Sequence, residues 1–264
     1  MGTFKTLEGL ELLMKFSDKT GVISTVMLTC SSACLAAEAH LAVAANFAEP
    51  MKAVAAVLEK TTGHTLKVTL GATGKLYAQI KNGAPFDVFL AANTTAPAAL
   101  EKDGLAKPAS QFTYAIGKLV LWSADVAKVD AKGKVLKSGS FRKIAFASPK
   151  VAPYGEAAVQ VMEKMGLTAA LTPKRVQGES IGQTYSFVHT GNAEIGFVAL
   201  SQVLEGGRLK SGSMWVVPQS LYSPIRQDAV LLQRGASNPA AVALVALLQS
   251  PNIKALIRSY GYDI

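Results

Sequence analysis

Chemistry-bearing side chains are sparse in this chain of 264 residues, which holds two cysteines and three histidines. Both cysteines, Cys30 and Cys34, fall in one apolar segment near the N-terminus. The remainder therefore offers no disulfide and no thiolate metal ligand. His40, His64 and His189 do not pair at metal-ligand spacing. His64 follows a glycine, where a surface turn is expected. Ser180 lies in Gly178-Glu179-Ser180-Ile181-Gly182, which has the G-x-S-x-G spacing of a nucleophile elbow. Ser180 stands beside Glu179 with no base in view, and Asp87, inside FDVFLA, reads as a buried structural carboxylate. Tyr114 and Trp122 read as packing residues. Lysine and arginine are scattered rather than interleaved with aromatics, which argues against a nucleic-acid groove. These shortages point away from an enzyme and from a bound cofactor.

Apolar residues make up 50% of the chain, enough for one large domain or two smaller ones. The net charge is +9. Gly21 to Ala37 (GVISTVMLTCSSACLAA) carries no charge, follows Lys15 and Lys19, and ends in the small-x-small group Ala37-Glu38-Ala39. This predicts a secretory signal over residues 1–39, cleaved before His40. The run is short for a membrane span. Met14-Lys15-Phe16 makes a more ordinary start than Met1. Removing residues 1–39 takes away three Lys/Arg and four Asp/Glu, leaving +10. Export and a basic surface suit a protein that handles anions outside the cytoplasm.

The rest follows an α/β rhythm. HLAVAA (40–45) reads as a strand, and residues 46–60 as a helix with Asn46 at the N-cap and Glu49-Pro50 in the first turn. A second strand spans 66–70, a helix 75–81, and a third strand 86–91. Residues 112–122 form one long extended run. Strands follow near 143–146, 195–199, 214–217 and 229–232, with helices over 156–165, from 182, over 238–248 and over 253–260. Such alternation predicts βαβ units and a mostly parallel sheet.

Four junctions share one composition: Ala44-Ala45-Asn46-Phe47, Gly71-Ala72-Thr73-Gly74, Ala152-Pro153-Tyr154-Gly155 and Glu179-Ser180-Ile181-Gly182-Gln183. Each opens a helix, whose first N–H groups are unpaired and whose dipole favours an anion. Four together would cage one anion with neutral donors. The second junction, LGATGKL, looks like half of a nucleotide loop. Its glycine spacing is too short, and Leu76 stands where a P-loop needs a hydroxyl for Mg²⁺.

Residues 40–264 resemble the periplasmic molybdate-binding proteins of ABC transporters. The resemblance is carried by AANFAEP (44–50), GATGKLYAQIKNGAPFDVFLAAN (71–93), FTYAIGKLVLWS (112–123), ASPKVAPYGEAA (147–158), GESIGQTYS (178–186) and IGFVALSQ (195–202). It implies the type II periplasmic binding protein fold: two α/β lobes, mixed sheets flanked by helices, joined by crossing strands and closing on a tetrahedral oxyanion. Lobe 1 would comprise 40–118 and 225–264, and lobe 2 would comprise 119–224. The ligand would be molybdate or tungstate, held without a paired cation. By position the family's contacts fall on Ala45, Asn46, Thr73, Tyr154 and Ile181, with Tyr154 and Ile181 acting mainly through backbone N–H. Ala45 departs from a position that often carries a hydroxyl. Ala199 departs from one near which some members place a tyrosine. The implied partner is a membrane permease, and the implied state a monomer.

The residues alone leave other readings open: sulfate or phosphate on the same fold, a ligand sensor, or an enzyme built on it. Neutral donors suffice energetically. Charge-assisted hydrogen bonds contribute about 1.5–3 kcal/mol each, and several together, less the cost of ordering, reach the ~12 kcal/mol of nanomolar binding.

Overall fold

Strand and helix alternate along the chain, but two crossings sort the strands into two sheets. The computed structural model describes residues 36–264. The alternative start Met14, the apolar segment up to Leu35, and both cysteines lie outside the described residues.

In β1 (Glu38–Ala44) every residue from Leu41 to Ala44 is buried, as a parallel strand flanked on both sides requires. A 3-10 turn (Ala45–Phe47) leads into α1 (Ala48–Thr62). Glu49 in its first turn and Lys60 in its last complement the helix dipole, and Gly63, left-handed at φ 73°, stops it. β2 (Thr65–Gly71), α2 (Thr73–Lys81), β3 (Val88–Leu90), α3 (Thr95–Lys102) and β4 (Phe112–Gly117) follow. The second half holds β5 (Leu119–Ser123), α4 (Lys134–Ser138), β6 (Ile144–Ala147), α5 (Pro153–Lys164), α6 (Thr168–Leu171), β7 (Arg175–Gly178), α7 (Ile181–His189) and β8 (Ile195–Ala199). It continues through α8 (Leu200–Val203), the small hairpin β9 (Leu204–Glu205) and β10 (Arg208–Leu209), and β11 (Ser213–Val216). The chain closes with β12 (Ile225–Leu231), α9 (Pro239–Leu248) and α10 (Pro251–Ser259).

The first sheet has the order β2-β1-β3-β12-β4, and the second β11-β5-β8-β6-β7. In the first, β1 runs parallel to β2 and β3, while β12 runs antiparallel to β3 and β4. In the second, β6 is parallel to β7 and β8, while β5 is antiparallel to β8 and β11. Both sheets are mixed, so the expectation of a mostly parallel sheet holds only for their β1 and β6 sides. Each sheet, with the helices on it, forms a lobe. α9 buries Ala240, Ala241, Leu244 and Leu248 in the first lobe's core. α5 buries Ala157, Ala158, Val161 and Met162 in the second.

The long run over 112–122 is not one strand. β4 pairs with β12 in the first sheet, and β5 pairs with β8 and β11 in the second. Lys118 alone separates them, so the chain crosses between lobes there and returns through residues 217–224. A crossing made of extended backbone carries no Gly/Pro-rich linker, which is why the sequence reads through it.

His64 is a second correction. It is 4% exposed, and its Nδ1 accepts the Ala37 N–H at 3.2 Å, where a surface turn was expected. Asp87 is buried as expected, accepting the His40 N–H at 2.7 Å and facing Arg234.

Candidate functional site

Four helical starts converge on one small cavity between the lobes. Its volume is about 10 Å³, room for about one water, and its lining includes Ala45, Asn46, Thr73, Tyr154 and Ile181. These are the five residues singled out from the sequence. Ala44, Gly71, Ala72, Ala92, Ala152 and Pro153 complete the wall. No lysine, arginine, aspartate or glutamate lines it. Among the described residues no cluster of His, Asp and Glu is arranged to hold a metal ion.

Local sequence explains each start. Thr73 opens α2 straight after Ala72, whose extended backbone turns the chain out of β2. Its Oγ accepts the Ala92 N–H at 2.9 Å, leaving the hydroxyl proton free to donate. Pro153 stands at the first position of α5, where its missing N–H costs nothing. The next N–H, that of Tyr154, is unpaired by the helix. Ser180 caps α7 by accepting the Gln183 N–H at 3.2 Å, and Ile181 follows. The N–H groups of Thr73, Tyr154 and Ile181 meet no loop or cap acceptor among the described residues. Such first-turn donors need an acceptor from outside the helix.

Asn46 departs from expectation. It lies inside the 3-10 turn and caps no helix. Its Nδ2 donates to Gln227 Oε1 at 2.8 Å and to the Tyr262 hydroxyl at 2.9 Å, so both amide protons are engaged within the protein. Its backbone carbonyl accepts from Ser201 Oγ at 2.8 Å and from the Tyr262 hydroxyl at 2.9 Å.

Tyr154 likewise turns its ring away. Its hydroxyl accepts from Gln227 Nε2 at 3.1 Å. Tyr114 reaches the same amide, at 3.0 Å from Gln227 Oε1. Phe47 packs edge-on against both Tyr114 and Tyr262, with ring centroids 4.8 and 5.6 Å apart. A methyl at Gly117 would sit 2.0 Å from the Tyr154 hydroxyl and 2.5 Å from Gln227 Nε2, so only glycine fits beneath this network. Burial pushes the Tyr154 and Tyr114 hydroxyls well above their usual range. It takes Tyr262 up to about 12, against the opposing hydrogen bonds of Ser201 and Asn46. All three are neutral at physiological pH and add no charge to the cavity wall.

Ala199 is fully buried and does not line the cavity; its N–H donates to Gln202 Oε1 at 2.9 Å. Gln227, Tyr262 and Ser201 were missed from the sequence. The one local signal was a polar pair, Gln227-Asp228, interrupting an apolar strand.

The model of the family described as bacterial extracellular solute-binding protein matches residues 39–263. The chain is 53% identical over 251 residues to the molybdate-binding protein ModA of Azotobacter vinelandii, covering 95% of this chain and 100% of that one. It is 52% identical over 227 residues to ModA of Rhodobacter capsulatus, covering 86% and 88%. Among solved structures, the Azotobacter vinelandii periplasmic molybdate-binding protein superposes with a TM-score of 0.83 at 40% identity, over 86% of this chain and 99% of that one. The two-lobed α/β fold expected from the sequence is the fold observed. The chain belongs to the bacterial extracellular solute-binding proteins.

Proposed function

We propose that this chain captures molybdate outside the cytoplasm and delivers it to the permease of an ABC transporter. One observation carries the reading: four helical starts present unpaired donors to a single cavity that no charged side chain lines. The donors are the N–H groups of Thr73, Tyr154 and Ile181, the Thr73 hydroxyl, and the 3-10 start at Ala45 and Asn46. Donor-only lining favours a fully deprotonated tetrahedral oxyanion, because a protonated oxygen would face a donor with no acceptor. Tungstate fits the same chemistry. The reading includes binding without turnover, since the lining holds neither a nucleophile activated by a base nor a titrating acid. It also includes a monomer, no resident cofactor, and lobe boundaries at the crossings after residue 118 and before residue 225.

Export through a cleaved leader belongs to the same reading, with its boundary moved. The Thr65 N–H donates to the Ala37 carbonyl at 2.9 Å, Asn238 Nδ2 donates to the Glu38 carbonyl at 2.8 Å, and Ala39 is fully buried. Cleavage at or before Ala37 keeps these contacts; cleavage before His40 removes them.

Thermal unfolding with molybdate, tungstate and sulfate tests the function. Binding only to the folded state stabilises by about 4 kcal/mol at a thousandfold excess over Kd, a rise on the order of 10 °C for a chain of this size. Molybdate is expected to give that rise and sulfate much less. No shift with molybdate or tungstate would sink the reading.

A further inference from the structure

Gln227 is fully buried and makes three hydrogen bonds to residues around the cavity. It opens no route to the cavity itself, yet it touches both Asn46 and Tyr154, two residues of its wall. In the arrangement observed, Gln227 Oε1 accepts from Asn46 and Tyr114, and Nε2 donates to Tyr154. This leaves Asn46 Oδ1 as the one polar atom of that amide without a protein partner. A carbonyl oxygen repels an anion.

The same heavy atoms support a second arrangement. The oxygen and nitrogen of an amide are close in shape, so a half-turn keeps the positions of the amide's neighbours and exchanges donor for acceptor. If both amides turn together, Gln227 Nε2 donates to Asn46 Oδ1 and to the Tyr114 hydroxyl. The Tyr114 proton goes to the Ala91 carbonyl, already 3.0 Å away. The Tyr154 hydroxyl then donates to Gln227 Oε1, and the Tyr262 hydroxyl to Asn46 Oδ1. The Tyr262 proton leaves the Asn46 carbonyl and Ser201 Oγ for Asn46 Oδ1, the Asn46 carbonyl keeps Ser201, and Asn46 Nδ2 is released as a donor. Neither amide can turn alone, because two carbonyls or two NH₂ groups would then meet at 2.8 Å.

We propose that Gln227 is a positioning residue of the oxyanion site: its amide and that of Asn46 turn as a coupled pair, and an anion in the cavity selects the state that offers it the Asn46 NH₂. The proposal rests on the molybdate reading above. It places the control of a ligand contact on β12, at the end of the return crossing between the lobes.

The test combines amide NMR with calorimetry on the full described chain. Asn46 side-chain NH₂ signals, assigned by their loss in Asn46→Asp, are followed during a molybdate titration of ¹⁵N-labelled wild type. They are expected to shift more than any other side-chain amide. Gln227→Glu provides the second arm, since an ionised carboxylate only accepts and holds Asn46 Nδ2 away from the cavity. Its affinity for molybdate is expected to fall more than tenfold, and that of Gln227→Leu, which leaves Asn46 free to turn, clearly less. A merely structural role predicts lowered melting temperatures for both variants with molybdate affinity within threefold of wild type. That result, or Asn46 NH₂ signals unmoved at saturation, overturns the proposal. The wild-type NMR arm stands even if a variant fails to fold. A wild type that takes up no molybdate overturns the functional reading and this proposal with it.

Discussion

The backbone N–H of Gly74 in the first lobe donates to the carbonyl of Val151 in the second at 2.9 Å. It is a main-chain bond between the lobes, made by the residues next in sequence to Thr73 and Ala152 of the cavity wall, and Lys75 Nζ meets the Glu179 carboxylate. The two contacts differ in weight. A methyl at Gly74 would lie 3.1 Å from Val151 Cα and 3.2 Å from its Cβ, so the lobes would have to part by a few tenths of an ångström. Overpacking of this kind costs roughly 1 kcal/mol or more. Gly74→Ala is expected to weaken molybdate binding about fivefold by calorimetry, with little change in the ligand-free melting temperature, because the contact joins the lobes rather than either core. Lys75 and Glu179 are both exposed, and exposed pairs contribute little. Lys75→Ala is expected to change affinity less than Gly74→Ala, and by an amount that shrinks as salt rises.

Thr73 lines the cavity, and its hydroxyl oxygen anchors the Ala92 N–H. Thr73→Ala removes one charge-assisted bond and strands a buried N–H, a loss of about 1.5 kcal/mol or more. Molybdate affinity is expected to fall at least tenfold by calorimetry, while Thr73→Ser retains most of it. Equal affinities for the Ala and Ser variants would remove the hydroxyl from the site.

Tyr262 gives the fold an alkaline limit. Its hydroxyl is held up to about 12, above the usual value of 10.0. A raised value means that the folded state keeps a proton the unfolded state has released. The stabilisation is therefore complete below pH 10 and is lost as pH rises towards 12. Tyr114 and Tyr154 are shifted in the same direction by burial and add to it. Chemical denaturation of the wild type is expected to show stability falling steeply above pH 10. Tyr262→Phe is expected to be less stable at neutral pH, having lost hydrogen bonds to Asn46 and Ser201, with a shallower alkaline decline.

Strand β1 uses the chain back to Glu38, which pairs with Thr65. The exported protein is expected to begin at or before Ala37, read by N-terminal sequencing or intact mass. A variant lacking residues 1–39 is expected to melt lower, having left the Thr65 N–H without its partner and Asn238 Nδ2 with Asp87 alone. Mature protein starting at His40 with unchanged stability would contradict this.

Legibility tracked distance along the chain. The junctions that hold Thr73, Tyr154 and Ile181 were legible because a helix start is written within a few residues: a small residue, a cap or proline, then apolar periodicity. Asn46 was read as a cap on the same logic, but a 3-10 turn intervenes and its amide turns inward. His64 was misjudged because its partner, the Ala37 N–H, lies 27 residues away. The run over 112–122 showed its extended backbone but not the crossing at Lys118, since strands of either sheet share the same period.

By itself the amino-acid sequence determined the alternation of strands and helices and the helix starts with their unpaired donors. Those features depend on neighbours in the chain, so local composition encodes them. Only the tertiary structure decided that Asn46 meets Gln227, 181 residues further on, and Tyr262, 216 further on. It also decided that four separate helix starts face one cavity. Hydrogen bonds of that kind depend on where two crossings bring the lobes, and no spacing in the sequence states it.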